Sequence, residues 1–231
     1  MIKAIFFDFN GVVIDDERIQ LLAYQEVLKA EDITLTEEDY YASLGMNDIY
    51  FVRAAFERAG RELTNDKMQT VIEGKTLAHR KMIEKELPLF PGVVTFVKSA
   101  SRSFSLGVVS MARRVEIDEV LRRATLMTIF DVVVSAEDLE TCKPDPACYV
   151  LGLARLNEKR DREGRPEISS SECLAIEDAP PGIESARAAG MRTLGVTNTV
   201  SAEALRASRA DVVTKSLFDW SVDAVHHVFD Q

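Results

Sequence analysis

Short apolar runs, each closed by a polar residue and followed by a helical stretch, constrain this chain more than any other feature. Residues 2–8 are apolar, mostly β-branched and aromatic, apart from Lys3 and the closing Asp8, the pattern of a strand buried on both faces. Similar runs recur at 105–110 (Ser-Leu-Gly-Val-Val-Ser), 131–135 (Asp-Val-Val-Val-Ser), 173–177 (Cys-Leu-Ala-Ile-Glu) and 193–196 (Thr-Leu-Gly-Val), with a sixth at 211–213. Helical patterning fills the intervals at 92–101, 114–124, 146–156, 182–189 and 202–208. Strand alternating with helix predicts an α/β fold, a Rossmann-like parallel sheet with helices on both faces.

One block breaks the alternation. Residues 15–88 carry only helical patterning, as in Ile19, Leu22, Ala23, Glu26 and Val27, or Tyr50, Val52, Ala54, Ala55 and Phe56. Gly45, Gly60 and Gly74 are expected to divide the block into about four helices. The segment 87–92 (Leu-Pro-Leu-Phe-Pro-Gly) reads as a return hinge. The expected organisation is a core of residues 1–14 and 89–231 with an inserted four-helix cap over 15–88. Residues 157–171 are nearly all polar and read as a solvated surface loop.

Composition narrows the function. The 231 residues are 46% apolar, enough for a substantial core, and the net charge of −10 argues against a nucleic-acid partner. It does not argue against a small phosphorylated metabolite, because a site can be locally positive in an acidic protein. No run approaches the ~20 apolar residues of a membrane span, so a membrane partner is not expected. The opening apolar run is too short for a signal peptide, and Cys142, Cys148 and Cys173 fall in no metal-ligand spacing; both suggest reduced thiols in the cytoplasm. His226 and His227 are adjacent and diverge on a helix, which favours surface placement over a metal site. The oligomeric state is left open.

In an open parallel sheet, ligands sit beyond the carboxyl ends of the strands. Asp8, Ser110, Lys143, Glu177 and Asp178 therefore converge on one place. Singly, each has an ordinary explanation: Asp8 caps a turn, Ser110 caps a helix, Lys143 is a surface charge. Together they make a carboxylate nucleophile, a hydroxyl donor, an ammonium and an acidic pair, which is what holding a phosphoryl group beside a divalent cation requires.

Asp8-Phe9-Asn10-Gly11-Val12-Val13 resembles the first motif of the haloacid dehalogenase superfamily, whose phosphatases carry Asp-x-Asp-Gly-Thr/Val. Val108-Val109-Ser110 resembles the second motif, Lys143-Pro144-Asp145-Pro146 the third, and Ile176-Glu177-Asp178-Ala179-Pro180-Pro181-Gly182-Ile183 the fourth. The continuation Ala186-Arg187-Ala188-Ala189-Gly190-Met191 extends the likeness, which is strongest to the branch of β-phosphoglucomutase and phosphoglycolate phosphatase with its helical cap. The resemblance implies that Asp8 attacks phosphorus to form an aspartyl-phosphate. It implies Mg²⁺ held by Asp8, the backbone carbonyl of Asn10 and Asp178, with Glu177 as a ligand or behind one. Ser110, Lys143 and backbone amides around Gly11 and Met111 would cradle the transferring group.

Asn10 departs from the pattern. An Asp is usual there, protonating the leaving alkoxide and then deprotonating water, and an amide does neither. Such acid–base catalysis is worth ~10²–10⁴ in rate. Three readings stay open: another acid substitutes, the protein binds a phosphorylated ligand without turnover, or the residue is an engineered inactivation. Asp16 is the foremost substitute acid, since it replaces a commoner hydroxyl residue, whereas Asp15 matches a carboxylate usual in the branch and steadies the cap junction. A mutase is less expected than a phosphomonoester hydrolase, because it needs the acid–base more strictly. The dehalogenase branch carries an aromatic at this position and the phosphonate-cleaving branch a small residue, and neither is matched. Asn47, Arg53, Lys75, His79 and Arg80 face either a substrate or solvent.

Overall fold

The structure, a computed structural model, describes residues 1–230. Its strands are β1 (Ala4–Phe7), β2 (Ser105–Val109), β3 (Val132–Val134), β4 (Cys173–Glu177), β5 (Arg192–Val196) and β6 (Val212–Thr214). All pair in parallel, in the order β3-β2-β1-β4-β5-β6. β1 is central, with Phe7 in register with Val108 on one side and Ile176 on the other. Its alternation feeds two core layers: Ile5 and Phe7 join Phe96, Leu106 and Leu174, while Ala4 and Phe6 join Val109, Tyr149 and Ala175. All four β1 side chains are fully buried, and each Phe contributes about 1.5–3 kcal/mol by that burial.

Four helices, α1 (Glu17–Lys29), α2 (Glu37–Tyr41), α3 (Asp48–Arg58) and α4 (Asn65–Met82), intervene before the chain returns in α5 (Val93–Ala100). The side chains of Thr36, Asn47 and Thr64 start three of them by accepting the backbone N–H groups of Asp39, Tyr50 and Lys67. The four helices have their own apolar centre, including Leu21, Tyr24, Leu28, Phe51, Phe56 and Val71. Exit and return are stitched together: the Asp15 N–H donates to the Pro88 carbonyl at 2.7 Å, and Ile14 bridges to Leu89.

Two expectations need correction. Gly74 lies within α4 rather than between helices, with its backbone against Val27 of α1. The break falls instead after α1, where Asp32 takes a left-handed conformation at φ 58°. Residues 157–171 are not wholly loop either, because α7 (Ala147–Arg162) runs two further turns. Its extension looks polar because only one side is covered. Asn157 exchanges hydrogen bonds with the backbone of Ile168, and the buried Arg160 guanidinium reaches the Pro166 carbonyl and Ser105. The remaining helices are α6 (Arg114–Arg123), α8 (Pro180–Ala188), α9 (Ala202–Ala207) and α10 (Val222–Phe229). None is long and apolar enough to cross a membrane.

Candidate active site

The strand order reverses direction between β1 and β4, and such a switch opens a crevice at the carboxyl ends of the strands. Asp8 follows β1 on one side of it, its N–H donating to the Ile176 carbonyl at 2.9 Å. Glu177 ends β4 on the other side, with Asp178 next. Asp8, Asn10, Ser110, Met111, Lys143, Glu177 and Asp178 all line one cavity, roofed by residues of α1, α3 and α4. Gly11 shapes it without lining it. Its φ is +73°, and a Cβ there would stand 1.9 Å from Asp178 Oδ2, so any side chain would displace that carboxylate.

Lys143 is the electrostatic hub of the floor. Its Nζ donates to Glu177 Oε1 at 2.8 Å and the Val109 carbonyl at 3.2 Å, and pairs with Asp8 Oδ1 at 3.1 Å. Burial alone would depress this ammonium, but Asp8 and Glu177 outweigh it and raise its pKa above the ordinary lysine value. The Tyr149 hydroxyl also donates to Glu177 Oε1, while Glu177 Oε2 is buried without a partner. Gly182 makes room for this carboxylate, since a Cβ there would approach it to 2.0 Å. Ser110 Oγ accepts the Ala112 N–H at 3.1 Å, which leaves its own proton to give.

Asp8, Glu177 and Asp178 each bring an oxygen within 4.8 Å of the others'. Burial, and next the Asp8 charge, push the Glu177 and Asp178 carboxyls well above the usual range. Crowded hard oxygens and one buried unpartnered oxygen suit a small divalent cation, whose charge would relieve the repulsion.

Asn10 is held from the cap side. Its Nδ2 donates to both oxygens of Asp16 at 2.9 Å each. Asp16 is fully buried and also takes Gln20 Nε2 at 3.0 Å and His79 Nε2 at 2.7 Å. It does not line the cavity. Glu17, its neighbour, does, and the sequence reading passed over it. Its Oε2 accepts the Tyr40 hydroxyl at 2.7 Å. Burial first, and then the charge of Asp16, raise its pKa to about 7.

Of the five cap residues singled out in the sequence, Lys75 alone lines the cavity. Asn47 is buried as the cap of α3, His79 is engaged with Asp16, and Arg53 and Arg80 are exposed. Tyr24, Asp48 and Glu116 join Lys75 in the roof. No sequence signal marked them, because three separated helices bring them together. The three cysteines are free thiols.

Several known proteins are similar to this chain. β-Phosphoglucomutase of Bacillus subtilis is 25% identical over 234 residues, spanning 99% of this chain and 96% of the relative. Phosphorylated carbohydrates phosphatase of Thermotoga maritima is 28% identical over 201 residues, covering 86% and 87%. The crystal structure of β-phosphoglucomutase from Clostridium difficile superposes with a TM-score of 0.86 at 20% identity, covering 100% of this chain and 98% of that one. The model of the haloacid dehalogenase-like hydrolases matches residues 2–190, a span that runs from β1 through the acidic loop after β4 and takes in every floor residue described above. By that match, the chain belongs to the haloacid dehalogenase-like hydrolase family.

Proposed function

We propose that this protein hydrolyses a small phosphomonoester through an aspartyl-phosphate on Asp8. The observation that carries the reading is the convergence of Asp8, Ser110 and Lys143 with an acidic trio at the bottom of one cap-covered cavity. Asp8 attacks phosphorus and the bond from phosphorus to the ester oxygen breaks, the departing oxygen taking up a proton. Water then attacks the phosphorus, gives up a proton, and frees Asp8 and inorganic phosphate. Ser110 donates to the phosphoryl oxygens, assisted by backbone amides near Gly11 and Met111, and Lys143 sets its positive charge beside Asp8 where the phosphoryl group arrives. Glu177 orients Lys143, and Tyr149 orients Glu177 in turn.

Asp8, Asp178 and the Asn10 carbonyl are the groups that would hold Mg²⁺, with Glu177 at their back. When bound, such an ion offsets negative charge on the transferring group.

The proton donor is assigned to Glu17. Asn10 cannot supply a proton and Asp16, outside the cavity, is occupied by three donors, whereas Glu17 shares the cavity with Asp8 and titrates near neutrality. A group with that pKa gives a proton to the leaving oxygen and takes one from water in the second step. A mutase would make the same demands on both of its transfers, so hydrolysis is the simpler reading. Phosphate release from sugar phosphates, with and without Mg²⁺, tests the proposal; absence of magnesium-dependent release would end it.

A further inference from the structure

Almost every hydrogen-bond donor in the roof of the cavity is already spent on the protein itself. Lys75 Nζ gives its protons to Asp48 Oδ1 at 3.2 Å and to both oxygens of Glu116 at 3.1 Å. The hydroxyl of Tyr24 goes to Asp48, that of Tyr40 to Glu17, and the Gln20 amide to Asp16. Ser43 gives its proton to the Asp39 carbonyl. What is left is the opposite kind of group. Asp48 Oδ2 and Gln20 Oε1 are buried without any partner, on two residues that line the cavity.

The charge count points the same way. Asp48 and Glu116, two carboxylates, touch the one ammonium in the roof and more than neutralise it. A second phosphate or a carboxylate on the substrate would find no free cation there and would face like charge. A group that brings donors would satisfy the two orphan acceptors, which are costly when left unpaired.

We infer that the alcohol esterified to the phosphate is rich in hydroxyl or ammonium donors, carries no second anionic group, and is recognised through Asp48 and Gln20. This rests on the hydrolase reading and goes beyond it in naming the substrate's remote end. Lys75, which in isolation would be taken for an anion anchor, here serves to fix the carboxylates of Asp48 and Glu116.

The test is kcat/KM for phosphate release from a matched set: glucitol 6-phosphate, glucosamine 6-phosphate, 6-phosphogluconate and glucose 1,6-bisphosphate, with p-nitrophenyl phosphate as a leaving group lacking both features. The polyol or the amino sugar ester is expected to exceed the carboxylate and bisphosphate esters by about 10-fold or more, the scale of like-charge juxtaposition. Which of the two leads tells hydroxyl from ammonium recognition. Asp48→Asn should narrow the gap to the bisphosphate several-fold; if that variant does not fold, the wild-type ranking decides. A bisphosphate or carboxylate ester turned over as well as the neutral polyol ester would overturn the inference while leaving the hydrolase reading intact. Failure of all five, p-nitrophenyl phosphate included, would sink the hydrolase reading. Calorimetric binding of the same four sugar phosphates would then decide the roof's preference on its own.

Discussion

Replacing Glu17 by Gln removes one ionisable group from the cavity and leaves its shape. The Tyr40 hydroxyl keeps an acceptor, because the amide oxygen can stand where Oε2 now lies. What disappears is a carboxyl raised to about 7, chiefly by burial and next by the Asp16 charge. At neutral pH that group is about half protonated, so it serves as donor in one step and acceptor in the next. Its loss should lower kcat for an alkyl phosphate by ~10²-fold or more, or about 2.7 kcal/mol of barrier. The parent's kcat should fall above pH 7 as the donor form is lost, and the variant should lack that limb. With p-nitrophenyl phosphate the leaving group needs no proton. The variant should then release one equivalent of nitrophenol in a burst while the aspartyl-phosphate on Asp8 persists. Stability follows the same carboxyl with a definite sign. A raised pKa favours the folded state fully below about 4.5 and loses that contribution as pH rises through about 7, a slope that Glu17→Gln should flatten. An alkyl-phosphate kcat within about threefold of the parent, with the limb near pH 7 unchanged, would refute the assignment of Glu17.

Asp8→Ala should reduce phosphate release by far more than tenfold while the protein stays folded by circular dichroism, since the residue ends a strand without serving the apolar core. Asp178→Ala should weaken Mg²⁺ binding in calorimetry, and undiminished affinity would remove it from the ligand set. Asn10→Asp alone should bring little gain, because the new carboxylate would face the Asp16 oxygens that now accept the Asn10 amide at 2.9 Å; in the Glu17→Gln background, Asn10→Asp with Asp16→Thr should recover the ~10²-fold loss in steady-state assays. Lys75→Met should destabilise the fold by about 3–5 kcal/mol in urea titrations, since it strands Asp48 and Glu116 as buried uncompensated charges.

What could be read from the chain alone divides along a physical line. The strands were legible because a central parallel strand must be apolar on both faces, so β1, β2 and β4 stand out as unbroken runs. The floor of the cavity was legible for the same reason: strand ends are found with the strands, and their polar residues share one sheet edge. The end of α7 was not, because a helix covered on one side by Leu156 and the stem of Arg160 reads as polar sequence. The roof was the least legible. Glu17, Tyr24, Asp48, Lys75 and Glu116 come from four helices, one of them in the core, and only the way the cap lies on the core brings them together. Gly74 misled for a related reason, since its small size answers to the crossing of α1 and α4 and not to a chain break.

The bond from Asn10 to Asp16 also fixes the order in which this site can change. An amide at position 10 needs an acceptor at 16 and a carboxylate at 10 needs a donor, so the two positions are a matched pair. Starting from Asn and Asp, altering position 10 first passes through two carboxylates held against each other in a buried place. Altering position 16 first passes through an amide beside a hydroxyl, which can hydrogen-bond either way. Of the two single-step routes to an Asp–Thr pair, the first sets two carboxylates against each other, and the second gives up the acceptor that Gln20 and His79 share. A library that samples only position 10 would find the first route and miss the second.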